Sequence, residues 1–212
     1  YIFNTSTSNN IDNNTSGKRW GGFQPLTRKE VDIAINSLKN YKSADGGGLI
    51  AELIKSSTTV RNEIFNIINS TWQTGTVPRT WCHAVIIPLL KKGDPSIMNN
   101  YRGIAIQDIT EKIYATIILN RLTPIVEPQM YDGQFGFRKH RSTTHAIYNI
   151  RKIIESCNNY NTPLYLAFVD ITKAYDTVDR NIPWDALRDH KVPEYIITLI
   201  PVSYTHLRAH ET

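Results

Sequence analysis

At 212 residues the chain has room for one sizeable domain or two small ones. Its formal net charge of +5 points to a polyanionic partner, and no apolar stretch approaches the roughly 20 residues of a membrane span. Cys82 and Cys157 lack metal-ligand or redox spacing, so they read as buried thiols of a reducing compartment.

Residues 1 to 24 are rich in Asn, Ser, Thr and Gly, lack the apolar core of a secretion signal, and are expected to form a disordered linker. Order is expected from Thr27-Arg-Lys-Glu30, a capping box, followed by an apolar helix face of Val31, Ala34, Ile35 and Leu38. A second amphipathic helix is predicted over residues 60 to 73 through Ile64, Ile67, Ile68 and Trp72, stopped by Gly75. His83 to Leu90 and Tyr101 to Ile106 read as the strands of a long hairpin with a basic tip, and Pro88 places the first strand at an edge. Helices follow from about Thr110 to Arg121, ended by Pro124, and from about Ser142 to Cys157, with Ala146, Ile150 and Ile153 on one face.

The run Leu164-Tyr-Leu-Ala-Phe-Val169 is unbroken in apolar character and predicts a strand buried on both faces, ending at Asp170. A carboxylate at such a strand end is costly to desolvate unless it is paired or holds a cation, although a turn-capping Asp is the commoner case. Short helices are predicted to start near Pro183 and Pro193. Helices interleaved with non-sequential strands indicate an α+β fold. Pro201 to Thr212 has no periodic apolar face and looks like translated sequencing-adapter sequence, so residues 201–212 are expected to be a non-native tail.

Four segments follow one another in the chain: Trp81 to Asp94, Asn100-Tyr-Arg102-Gly-Ile-Ala-Ile106, Gln134-Phe-Gly136-Phe137-Arg138-Lys139-His-Arg141-Ser-Thr143, and Phe168-Val-Asp170-Ile171-Thr-Lys-Ala-Tyr175-Asp176. In this order they resemble the reverse transcriptases of non-LTR (LINE-type) retrotransposons. Tyr41 to Lys55 also looks like a conserved-type family loop, with Gly46-Gly47-Gly48 where the family has Pro-Gly. The resemblance covers about residues 25 to 200. It implies the fingers and the first part of the palm of a right-handed polymerase, with an incomplete palm sheet. Residues 25–160 would form the fingers and the helices joining fingers to palm, and residues 161–200 the start of the palm.

The implied activity is RNA-directed DNA polymerisation: deoxynucleoside triphosphates are added to a DNA primer on an RNA template, inside the cell, in cytoplasm and nucleus. Oligomeric state stays open. Nucleotide addition is an in-line phosphoryl transfer served by two divalent ions about 3.5–4 Å apart, Mg2+ or alternatively Mn2+. The resemblance makes Asp170 a catalytic metal ligand and gives the backbone carbonyl of Ile171 to the same metal site. Tyr175 would lie under the incoming sugar and exclude a 2′-hydroxyl, which favours deoxynucleotides. Arg102 and one of Lys91 and Lys92 would contact the triphosphate. Gln134, Gly136, Phe137, Arg138, Lys139 and Arg141 would contact the template and primer backbone.

Two other readings remain open on the residues. One is a nucleic-acid-binding remnant without catalysis, because the family's second motif, with two adjacent aspartates, is absent from the chain. On that ground the chain by itself is expected to be inactive. The other is an RNA-copying RNA polymerase, which Tyr175 disfavours.

Overall fold

The computed structural model describes residues 23–82, 85–171, 179 and 182–204. Among them, seven α-helices and one two-stranded sheet make a mixed α+β arrangement.

Helix α1 (Arg28–Ser37) starts as the sequence predicts. Thr27 Oγ1 accepts from the Glu30 amide at 3.3 Å, and the Glu30 carboxylate accepts from the Thr27 amide at 2.9 Å. Val31, Ala34 and Ile35 are buried. Helix α2 (Ala51–Ser56), which the periodicity did not reveal, is too short to show a repeating face. Helix α3 (Thr58–Thr74) buries Ile64, Ile68 and Trp72 and ends at Gly75, whose φ of 69° is the left-handed cap that glycine adopts without a Cβ penalty. Ile67, predicted on the same face, is 39% exposed.

Helix α4 (Ile109–Val126) runs through Pro124, which was expected to end it. The proline removes one donor, but the carbonyl it frees belongs to exposed Asn120, where water can satisfy it. Leu122, Ile125 and Val126 meanwhile pack against the core and hold the last turn. α4 is the central helix: it packs against α1, α3 and the last described helix, α7 (Glu194–Tyr204). Trp72, Trp81 and Tyr114 meet edge-on or tilted at 5.3–6.0 Å, and the Tyr114 hydroxyl donates to the Leu199 carbonyl at 3.1 Å. Val192, Tyr195, Ile196, Ile197 and Leu199 complete this core.

Phe23 and Gln24, within the expected linker, are held against the core. The linker assignment for residues 1 to 22 lies outside the described residues, but Phe23 packs edge-on against Tyr195 and the Gln24 carbonyl accepts from the Trp72 indole at 3.1 Å. At the other end, α7 continues through Pro201 to Tyr204, while residues 205–212 of the expected tail lie outside the described set.

The hairpin of β1 (Val85–Leu90) and β2 (Tyr101–Ile106) forms as predicted, antiparallel, with Leu89 opposite Arg102 and Leu90 opposite Tyr101. Both strands of a two-stranded sheet are edges, so Pro88 is accommodated. Helices α5 (Thr143–Asn159) and α6 (Ile182–Asp189) contain no buried residue. The buried strand predicted over Leu164 to Val169 is not formed: this stretch has no regular secondary structure, and Tyr165, Phe168 and Val169 are each more than four-fifths exposed. An apolar run becomes a strand only when neighbours take its backbone hydrogen bonds. Among the described residues no strand does so. No described helix is long and apolar enough to cross a membrane.

Candidate nucleotide and nucleic-acid site

The tip of the hairpin is locally locked. Gly93 turns the chain at φ 90°, and a Cβ there would stand 2.9 Å from the Asn100 side chain. The Asp94 carboxylate accepts from the Ser96 amide (2.9 Å) and hydroxyl (2.7 Å), the Asn100 side chain donates to the Asp94 carbonyl (2.8 Å), and the Tyr101 hydroxyl donates to the Pro95 carbonyl (2.9 Å).

This geometry orders the basic residues. Arg102 is opposite Leu89, and directly opposed residues share a face of the sheet. The Lys91 amide donates to the Asn100 carbonyl at 2.8 Å, so pairing continues one residue past β1. Side chains alternate along a strand, which puts Lys91 on the face of Leu89 and Arg102, whereas Lys92 falls in the turn. Lys91, Lys92 and Arg102 are all exposed, and none has an ion-pair partner among the described residues.

The loop before α5 uses its cations differently. The Arg138 guanidinium pairs with Glu127 at 2.9 Å and donates to the Tyr131 carbonyl at 2.9 Å, leaving the side chain 6% exposed. Arg141 donates to the carbonyl and carboxylate of Asp132, both at 3.1 Å, and lies over the Phe135 ring. Both arginines, expected on a phosphate backbone, also pair within the loop and its flank. Gln134, Gly136, Phe137 and Lys139 are exposed.

Asp170 and Ile171 are exposed at the end of this irregular stretch. Tyr175 and Asp176 lie outside the described residues. Among the described residues no three His, Cys, Asp or Glu side chains converge as a metal site. A lone carboxylate does not by itself fit a pair of magnesium ions, which need several oxygen ligands.

Sequence reading missed three carboxylates around the start of α4. Asp45 accepts from the amides of Gly47 (3.0 Å), Leu49 (2.8 Å) and Ile109 (3.1 Å), tying the glycine-rich loop to α4. The Asp-Gly pair signals the turn, but nothing in the wording signals the reach to Ile109. Asp108 caps α4 by accepting from the Thr110 amide at 2.8 Å. Glu111 is 2% exposed, and burial, reinforced by repulsion from Asp108, raises its carboxyl to about 7.

Comparison with known proteins defines the class. The reverse transcriptase (RNA-dependent DNA polymerase) family matches residues 89–211, more than half of the chain, and the chain belongs to that family. It is similar to the Transposon TX1 uncharacterized 149 kDa protein of Xenopus laevis, 24% identical over 156 residues. It is also similar to the Putative 115 kDa protein in type-1 retrotransposable element R1DM of Drosophila melanogaster, 26% identical over 164 residues. These alignments take in 73% and 74% of this chain but 12% and 15% of the relatives. The chain thus spans a small part of the relatives it matches, and both are named for mobile elements, in agreement with the LINE-type resemblance.

Proposed function

We propose that this chain is the fingers and early palm part of a retrotransposon RNA-directed DNA polymerase that adds deoxynucleotides to a DNA primer on an RNA template inside the cell. The observation that carries this reading is the hairpin register, which sets Lys91 and Arg102 on one face with no ion-pair partner among the described residues. A triphosphate is the ligand such a pair suits: Lys supplies a point charge and Arg a planar fork. Of the two lysines, the register favours Lys91.

Divalent-metal chemistry is general to the family, and Asp170 with the Ile171 carbonyl would supply two of its oxygens. The remaining carboxylates are not in this chain, so we propose that the 212 residues alone bind substrates without joining them. Titrating a deoxynucleoside triphosphate into the full chain tests the hairpin: Lys91→Ala and Arg102→Ala should each weaken binding about ten-fold. Equal binding by wild type and both variants would refute it.

The nucleic-acid-binding reading draws on the loop before α5. With Arg138 and Arg141 paired within it, Gln134, Gly136, Phe137 and Lys139 are the candidate contacts most open to solvent.

A further inference from the structure

Two neighbouring non-glycine residues of the loop between α4 and α5 have left-handed backbones, Phe137 and His140, both at φ 60°. L residues enter this region at a cost, and a phenylalanine has no side-chain hydrogen bond to offset it. The loop imposes the conformation. Arg138 is pinned to Glu127 and to the carbonyls of Tyr131 and Gln134, and Arg141 is pinned to Asp132. Immediately before the first of these anchors Phe137 stands 99% exposed. Phe135, two residues earlier, is half-buried beside Arg141, so the loop packs one aromatic and holds the other in water. Lys139 is exposed and has no ion-pair partner among the described residues.

We propose that Phe137 is a stacking platform for an unpaired nucleic-acid base, with Lys139 placed for the adjoining phosphate. This rests on the nucleic-acid reading above and adds a contact to the base itself, where the family resemblance implies contacts to the backbone. Every base has a π face, so stacking on a ring is sequence-tolerant, as a template-copying protein requires. An exposed cation two residues along the chain from the ring favours a nucleic acid over an apolar protein surface, and the chain's net charge of +5 agrees.

The test is fluorescence anisotropy of the full chain with labelled oligouridylate and with an oligomer of equal length and charge that lacks bases. Wild type should prefer the base-bearing oligomer. Phe137→Ala should bind it about ten-fold more weakly with an unchanged log–log salt slope, because no phosphate contact is lost. Phe137→Trp should retain affinity, and its added emission should be quenched by the base-bearing oligomer alone. If wild type binds, Phe137→Ala binds equally and Phe137→Trp is not quenched, the platform is refuted while the proposed function stands. If Phe137→Ala instead alters self-association with RNA affinity intact, Phe137 belongs to a protein contact and the platform is likewise refuted. If wild type binds neither oligomer, the nucleic-acid reading falls and the platform with it.

Discussion

Arg121 and Glu30, 91 residues apart in sequence, form a two-pronged ion pair, Nε to one carboxylate oxygen at 2.6 Å and Nη2 to the other at 2.9 Å. Glu30 is also half of the capping box of α1, and Arg121 donates to the Gln24 and Pro25 carbonyls while lying over the Trp72 ring at 4.7 Å. One guanidinium therefore fastens the Gln24-Pro25 segment, the first helix and the central helix to one another.

This pair should be visible in the acid limb of stability. The Arg121 hydrogen bond holds the Glu30 carboxyl down at about 2. A lowered folded value means that its stabilisation is complete above the unfolded value near 4.5 and is lost as pH falls toward 2. Arg121→Met should cost about 2 kcal/mol at neutral pH and flatten that limb, measured by urea unfolding from pH 2 to 7. An acid limb unchanged in the variant would assign it to other carboxylates.

Glu111 works in the opposite direction. Its carboxyl is raised to about 7 by burial and by Asp108, so the unfolded chain ionises first as pH rises from about 4.5. The native state loses stability across that interval and levels off above pH 7. Glu111→Gln should match wild type near pH 4.5 and exceed it by about 1–3 kcal/mol at pH 8. A glutamine variant less stable at pH 8 would mean that the ionised carboxylate has a favourable partner.

The hairpin separates its two lysines. Lys91→Ala should weaken triphosphate binding about as much as Arg102→Ala, near ten-fold, while Lys92→Ala stays within about two-fold of wild type. The reverse order of the lysines would mean that the chain turns the other way past Leu90.

The basic loop makes a similar distinction. Lys139→Ala should lower the log–log salt slope of RNA binding by about 0.7–0.9, one phosphate contact. Arg138→Ala should lower the unfolding midpoint, because it removes the loop's brace. A loss of slope without a loss of stability in Arg138→Ala would return that arginine to the nucleic-acid surface.

These features differ in how legible they were. The capping box, the left-handed stop at Gly75 and the hairpin are set by neighbouring residues, so the wording around them carries the information. The strand predicted over 164 to 169 failed because a ladder needs partners, which local apolar character cannot supply. Pro124 misled because its cost depends on whether the freed carbonyl faces water. The ion pairs of Arg138 and Arg121 escaped notice because a basic residue reads the same whether its acid lies in solvent, on a ligand or elsewhere in the fold. The hairpin was legible in its residues, whereas which lysine shares a face with Arg102 depended on register.

The most direct measurement is primer extension on an RNA template by this chain continued with the family's paired-aspartate segment. Extension with deoxynucleotides is expected, abolished by Asp170→Asn and absent from the 212 residues alone. Asparagine keeps the shape of the side chain and removes its charge, so that loss would report electrostatics at the reacting centre. Full activity of Asp170→Asn, or extension by the 212 residues alone, would refute this assignment of the catalytic carboxylates.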